Sequence, residues 1–218
     1  MDDPLPQACA QQFVIGHTGE LPVWLLNGMF RLRHEVFHER LRWDVDSVHG
    51  MERDFYDDCD PVYVISHRVD LQEVTGCCRM LRTDGRYMLP EVFSELLRGG
   101  QAPRDPAIWE LSRLATGRAW SRTVEAGLGP LARALLWEAF RWVDQRGEAV
   151  VAVSGVALER SVNAMGVPTR RLGDGKAARL GRVLCSAYIT TTRNFLENAP
   201  PVSETEADCD GDCAATRD

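Results

Sequence analysis

Arg79 lies in the middle of an otherwise apolar run, Gly76-Cys77-Cys78-Arg79-Met80-Leu81. Such a run reads as a buried strand, and a guanidinium inside it is tolerable only beside a carboxylate or a phosphate. The fold must supply that partner. Around this run the hydrophobic period switches repeatedly. From Leu21 to Leu41, Trp24, Leu25, Met29, Leu32, Val36 and Phe37 recur at helical spacing. Pro61 to His67 and Val74 to Leu81 read as a hairpin. Met88 to Gly99 reads as a short helix, Pro103 to Pro106 as a connector and Ile108 to Thr116 as a strand. Pro130 opens a long helix to Gln145, in the first turn where proline is tolerated. Glu148 to Ser154, Val156 to Met165 and Val183 to Thr192 read as strand, helix and strand. The order α, β, β, α, β, α, β, α, β predicts an α/β (α+β) domain, with helices packed on a mixed sheet.

The 218 residues carry 25 basic and 32 acidic side chains, a net charge of −7. That excludes a general nucleic-acid binder, which needs clustered Lys and Arg. The charge is uneven: residues 198–218 hold six acids and one base, leaving the body near neutrality. With Pro200-Pro201 ahead of it, this segment is expected to be a disordered tail, and residues 1–197 a single domain. No run approaches the roughly 20 apolar residues that span a bilayer. The acidic start, with Pro4 and Pro6, lacks the parts of a secretory signal, so a cytoplasmic protein with free thiols is expected. Cys77 and Cys78 suit burial as small hydrophobes. Cys209 and Cys213, in C-D-G-D-C, lack the further ligands of a metal site, and no metal is expected.

Three constellations can carry chemistry. Arg33 and Phe37, four apart on one helix face, either line a cleft together or form a solvated basic end beside a core ring. Asp54, Asp57, Asp58 and Asp60 close the polar segment Asp44 to Asp60, which reads as a loop able to move. Its carboxylates are either solvated or a site for a cationic ligand, which Trp43 would assist. In Trp109-Glu110-Leu111-Ser112-Arg113, period-two alternation places Glu110 and Ser112 on one face and Leu111 and Arg113 on the other. Glu110 is then a candidate base or a salt-bridged edge residue. Gly127-x-Gly129 before a helix is a weak candidate for receiving a phosphate or thioester arm.

Together these residues resemble the LuxI-type acyl-homoserine lactone synthases. That family's signature has an Arg, a Phe four later, a Trp ten later, and two Asp 21 and 24 later; Arg33, Phe37, Trp43, Asp54 and Asp57 reproduce each interval. The family's G-C-x-R-[ML]-L matches Gly76 to Leu81, with Cys78 in place of a bulkier residue, and its E-x-S-R matches Glu110, Ser112 and Arg113. The likeness spans Phe30 to Thr192. It implies a three-layer α-β-α sandwich with a mixed sheet, akin to the GNAT acyltransferases. Those usually carry Q/R-x-x-G-x-G/A, where this chain has Val124 to Gly129 with Val at the first place. That disfavours an ordinary GNAT-type N-acyltransferase, the first alternative. A non-catalytic protein binding adenosylmethionine or an acyl carrier is the second, and Glu110, Arg33 and Asp54 together argue against it.

The implied reaction joins S-adenosylmethionine, a substrate and not a cofactor, to an acyl thioester. The amine attacks the carbonyl, and the carboxylate then displaces methylthioadenosine in closing the lactone. By resemblance Glu110 is the base, directly or through water, and Asp54 helps position the amine. Arg33, Phe37, Trp43, Asp54, Asp57 and Arg113 hold adenosylmethionine, the first of these with Phe37, Trp43 and Asp57 folding the acidic segment over it; Arg79 and Arg113 tie that segment to the sheet, and Arg79 and Ser112 form a structural, electrostatic cluster. Phe93, Ala152 and Ser154 are expected in the acyl pocket. Where members making 3-oxo signals commonly have Thr, this chain has Ala152, which points to an unsubstituted or differently substituted chain, although Ser154 faces the same side. The donor is acyl-carrier protein or, in a minority, coenzyme A. An acidic carrier needs a basic dock, and Arg160, Arg170, Arg171, Lys176, Arg179 and Arg182, opposed only by Asp174, form the one strongly basic stretch. A monomer is expected.

Overall fold

Strand β4 (Val62–Arg68) shows how the molecule is layered. Its apolar residues alternate between two cores: Val62 and Val64 meet Leu131, Leu135 and Phe195 on one face, while Tyr63 and Ile65 meet Leu25, Met29 and Phe30 on the other. A strand that is apolar on both faces must be covered on both. β5 (Glu73–Arg82) does the same, sending Cys77 to one face and Cys78 and Met80 to the other. Burial pushes the Cys77 thiol up to about 12, so it is an inert small hydrophobe.

The computed structural model describes residues 11–120, 128–199 and 201. Val124 and Gly127, and with them the glycine-pair arm site, lie outside the described residues, as do Cys209 and Cys213 and the acidic tail from 202 onward. The described chain builds an eight-stranded mixed sheet from β1 (Gln11–His17), β4, β5, β6 (Ile108–Thr116), β7 (Ala149–Gly155), β10 (Val183–Thr191) and β8 (Arg170–Arg171), in that order, with β9 (Ala178–Leu180) also on β10. Among the described residues only β6 and β7 run parallel; β2 (Ser47–Val48) and β3 (Met51–Glu52) form a separate hairpin. Helices α1 (Val23–Arg33) and α2 (Met88–Val92) cover one face; α3 (Pro130–Asp144) and α5 (Thr192–Asn198), with Val162 of α4 (Val156–Ala164), cover the other. This is the three-layer α-β-α architecture. Among the described residues no helix is long and apolar enough to cross a membrane.

Several boundaries differ from the sequence expectation. The helix expected over 21–41 is α-helical only to Arg33 and continues as a π-helical stretch from His34 to Arg40, a widened turn often found at functional sites. The helix expected over 88–99 breaks at Phe93 into α2 and a 3-10 turn, Ser94–Leu97. β1, β8, β9 and α5 carry too few residues or too weak a pattern to stand out from the sequence.

The parallel ladder positions everything that follows. β6 and β7 pair only from Ile108↔Ala149 to Leu111↔Ala152, although both strands run on. Beyond Leu111 and Ala152 the sheet splits, and the gap is a cavity of about 810 Å³ lined by Ser112, Leu114, Val153 and Ser154 among others.

Between β8 and β9 the chain makes a close approach to the end of the 3-10 turn Ser94–Leu97. Gly173 has φ +63, and a Cβ there would run into the Leu97 carbonyl; Gly175 has φ +74 and nothing within 4 Å. Gly175→Ala should therefore cost about 1 kcal/mol for the left-handed backbone, and Gly173→Ala about 1–3 kcal/mol more. Urea denaturation of the two variants checks this, and equal losses would contradict the packing.

Candidate active site

The acidic segment is organised by its own side chains first. Asp54 accepts from the Tyr56 amide at 2.9 Å and Asp57 accepts from the Asp54 amide at 2.8 Å, a reciprocal cap on the 3-10 turn Phe55–Asp58. Asp57 is thereby turned inward. Its carboxylate also takes a bidentate pair from Arg33 at 2.7 and 2.9 Å, a bond from Arg79 at 2.8 Å and one from the Tyr63 hydroxyl at 2.8 Å. Burial opposes its charge, but Arg33 and then Arg79 outweigh burial and hold it well below the usual carboxylate range. Arg33 and Arg79 are fully buried; burial opposes their charge too, and the carboxylates keep both guanidiniums protonated.

Two further members complete the cluster. Glu52 on β3, fully buried, accepts from Arg33 and, at 3.1 Å, from Arg113 Nε. Arg113 also reaches Asp54 at 2.6 Å, and Asp54 pairs with Arg79. Three guanidiniums thus balance three carboxylates, which makes such burial sustainable.

Arg113 joins this group because alternation fails along β6. The β5–β6 register shifts between Cys77 and Arg79, and Arg113 adopts φ 55. This bulge turns a side chain that would have pointed away back onto the face of Ser112 and Glu110. The guanidinium on the Phe37 ring is accordingly that of Arg113, 5.4 Å from its centroid, whereas Arg33 lies over Phe30. Ser112 accepts from Arg79 Nε at 3.2 Å.

Glu110 stands beside the cluster and, among the described residues, pairs with no guanidinium. Only 2% exposed, it accepts from the amides of Met88 and Leu89 at 2.8 and 2.7 Å. Burial pushes its carboxyl up to about 7, against the pull of those amides and of Arg79 and Arg113. A carboxyl divided between its two forms near neutrality suits proton transfer.

Glu110, Ser112, Arg113, Phe37 and Trp43 line the cavity, together with Phe93, Ala152, Ser154, Leu136, Phe140 and Phe195. Phe37 and Trp43 stack 5.3 Å apart. Arg33, Asp54, Asp57 and Arg79 do not line it. Of the two readings left open for the acidic segment, solvated carboxylates or a site for a cation, Asp54 and Asp57 fit neither: both are paired with arginines, Arg79 and Arg113 among them as the resemblance implied. Of the basic stretch, Arg160, Arg170, Lys176, Arg179 and Arg182 are side chains at or near the surface, and Arg182 lines the cavity. Arg171 is committed elsewhere, donating Nε and Nη2 at 2.8 Å to Glu159, itself buried and bonded to Ser186, which corrects its place in a docking patch. Sequence reading also missed Glu52, Tyr63 and the amides that hold Glu110. Glu52 looked like one more acid of a polar segment, and an amide pair has no sequence signal.

Comparison with known proteins bears on this site. A family model described as autoinducer synthase matches residues 23–195. An acyl-homoserine-lactone synthase of Aeromonas salmonicida is 35% identical over 170 residues, 77% of this chain and 81% of that one. The crystal structure of the AHL synthase LasI aligns with a TM-score of 0.74 at 30% identity, over 95% of this chain and 98% of LasI. A CoA-dependent acyl-homoserine lactone synthase, BjaI, solved with SAM and isopentyl-CoA, gives 0.73 at 26% identity over 85% of each chain. Escherichia coli ElaA, at 0.55 and 11% identity over 83% of this chain and 99% of ElaA, shares the fold alone; an acyl-CoA N-acyltransferase from Pseudomonas aeruginosa shares it to the same extent, at 0.55 and 14%.

The cluster makes a stability prediction. Asp57→Asn leaves two guanidiniums short of a carboxylate and should cost about 3–5 kcal/mol near neutrality. Asp57 is depressed in the native state, so its contribution is complete above the ordinary aspartate range and is lost as pH falls below it toward the native value. The gap between wild type and variant in urea midpoint should therefore narrow at about pH 3; a gap that widens there would contradict the assignment.

Proposed function

The chain belongs to the autoinducer synthase family, the acyl-homoserine-lactone synthases, and from that premise we propose how its residues divide the work. The enzyme joins the amine of S-adenosylmethionine to an acyl group delivered as a thioester. In the first step a C–N bond forms, the thioester C–S bond breaks and the carrier thiol leaves. In the second the methionyl carboxylate displaces methylthioadenosine from the γ-carbon, breaking the C–S⁺ bond and closing the lactone. The observation that carries the reading is Glu110, a buried carboxyl near 7 in the lining of a cavity that it shares with apolar side chains.

An ammonium group must lose a proton before it attacks, and Glu110 receives that proton directly or through one water. The stacked pair Phe37 and Trp43 offers an aromatic wall for the sulfonium and adenosine, with Arg113 beside it. Arg33, Asp54, Asp57 and Arg79 act one step removed: they fix the segment after Trp43 to the sheet, so their part in binding adenosylmethionine is to hold the wall. Asp54, 13% exposed at its side chain and paired with Arg79 and Arg113, contributes to positioning the amine through Arg113. Where β6 and β7 part, backbone N–H groups on the facing edges lose their ladder partners, which makes them economical donors to the tetrahedral oxyanion. The second step asks mainly for proximity, since the sulfonium is already a good leaving group.

The apolar part of the lining, with Phe93, Ala152 and Ser154, receives the acyl chain. Acyl-carrier protein is the donor we favour, docking on Arg160, Arg170, Lys176, Arg179 and Arg182, whose positive charge suits an acidic partner. Coenzyme A, the donor named for BjaI, is the other reading. The two substrates suffice without a cofactor or metal, and the protein works as a cytoplasmic monomer.

Incubation with adenosylmethionine and a panel of acyl-carrier proteins and acyl-CoAs should release methylthioadenosine and a lactone whose mass gives the chain; no release with any donor would overturn the reading. Glu110→Gln should lower kcat by about 10²–10⁴ with little change in the KM for adenosylmethionine. Because the ionised carboxylate is the active form, wild-type kcat/KM should fall as pH drops through about 7, and an acid limb near 4 would contradict the base assignment. Charge reversal at Arg160 and Arg170 should raise the KM for the carrier protein and leave that for adenosylmethionine unchanged; unchanged kinetics would remove the docking site.

A further inference from the structure

The two amides that hold Glu110 belong to a helix too short to hold itself. α2 has five residues, and an isolated helix of that length has no stability in water. Its third residue is Pro90, which has no N–H, so Met88 and Leu89 supply the free donors among its first three residues. Both go to Glu110, at 2.8 and 2.7 Å. What keeps them there must come from outside the helix. On the outer side of α2, Glu91 accepts from Arg86 and, at 3.0 Å, from the Tyr56 hydroxyl. Arg86 is well exposed, and an ion pair so placed contributes little.

The buried support is Tyr87, the residue immediately before α2. It is fully buried, and its hydroxyl donates to the carbonyl of Pro103. Pro103 opens the connector that leads into β6, the strand that carries Glu110. The same connector is tied to the end of β5: Thr83, also fully buried, donates its hydroxyl to the Asp105 carbonyl at 2.9 Å and its amide to the Ile108 carbonyl at 3.0 Å. The stretches 83–89 and 103–110 are thus laced together through the side chains of Thr83, Tyr87 and Glu110. Burial, and after it Glu110, pushes the Tyr87 phenol up to about 12, so it stays an O–H donor across the working pH range.

This lacing bears on the base. The groups that face Glu110 are the Met88 and Leu89 amides from α2, Arg79 from β5 and Arg113 from its own strand, all of which favour its charge, with the phenols of Tyr56 and Tyr87 close enough to feel that charge. The guanidiniums are fixed by the carboxylates of the cluster, whereas the amides move with α2. We propose that Tyr87 is a positioning residue for the base of this enzyme: by fastening the start of α2 to the Pro103 carbonyl, its hydroxyl keeps both amides on the Glu110 carboxylate, a proposal that rests on Glu110 being that base. Tyr87 does not line the cavity and acts through Glu110. If the amides loosen, burial is opposed by the guanidiniums alone and the carboxyl titrates higher. The ionised form is the active one, so the loss of activity falls on the acid side and is recovered as pH rises.

The test is Tyr87→Phe, which keeps the ring in the core and removes the hydroxyl. The Glu110 carboxyl is followed by carbon-13 NMR in the substrate-free protein, its signal assigned by its loss in Glu110→Gln. Its midpoint should lie about one pH unit above that of wild type, the effect of weakening a charge-assisted hydrogen bond. Amide hydrogen exchange should quicken at Met88 and Leu89 and stay unchanged in β4. In turnover, kcat/KM should be about eightfold below wild type at pH 6.5 and within about twofold of it at pH 9, with the KM for adenosylmethionine little changed. A merely structural part for the hydroxyl would lower activity by one factor at every pH. An unmoved Glu110 midpoint overturns the proposal alone, as does unchanged exchange at both amides. A variant that no longer folds overturns it too, since the hydroxyl would then support the whole domain. A midpoint that moves while the acid limb of kcat/KM stays in place overturns Glu110 as the base, and absence of turnover with every donor overturns the acyltransferase reading; this proposal falls with either.

Discussion

Asp57 accepts hydrogen bonds from α1, from β4, from β5 and from the start of its own turn. No other side chain described above joins so many elements. Burying a single charge is prohibitive, and burying one ion pair seldom adds stability over an apolar substitute. A group of three guanidiniums and three carboxylates, each held by more than one hydrogen bond, is different in kind. It gives stability only in company, and it specifies geometry: if one member shifts, several charges are left unpaired. The segment after Trp43 therefore has one seat on the sheet.

That seat determines the site. Phe37 lies in the middle of the widened turn that follows Arg33, with Arg113 near its ring and Trp43 stacked on it. The same balance of charge leaves Glu110, among the described residues, without a counterion of its own, held by two amides and two guanidiniums at a distance. Burial dominates its titration and raises it, against the pull of the Met88 and Leu89 amides and of Arg79 and Arg113. The aromatic wall and the base are in this sense two consequences of one electrostatic arrangement, and the splitting of β6 from β7 places the acyl chain between them.

Much of this was legible in the chain. Arg79 inside an apolar run demanded a buried acid, and the alternation of strand and helix patterns yielded the layered fold and its mixed sheet. The intervals from Arg33 to Asp57 marked the segment that matters. What could not be read was direction. Asp54 and Asp57 look solvated because a sequence does not show which guanidiniums will reach them, and Glu52 was hidden among polar neighbours for the same reason. Arg113 faced the wrong way under strict alternation because a bulge depends on pairing with β5, a partner more than thirty residues away. Arg171 read as surface charge because its acid, Glu159, lies on a different element.

The central claim is that the acidic segment is anchored by its charges and is not a mobile loop that closes on a ligand. Native-state hydrogen exchange of the Asp54, Tyr56 and Asp57 amides in the substrate-free protein tests it most directly. Those amides are bonded within the turn that Arg33 and Arg79 hold down, so they should exchange slowly, with protection approaching that of the β4 and β5 amides. Exchange near the rate of an unstructured peptide would contradict the account.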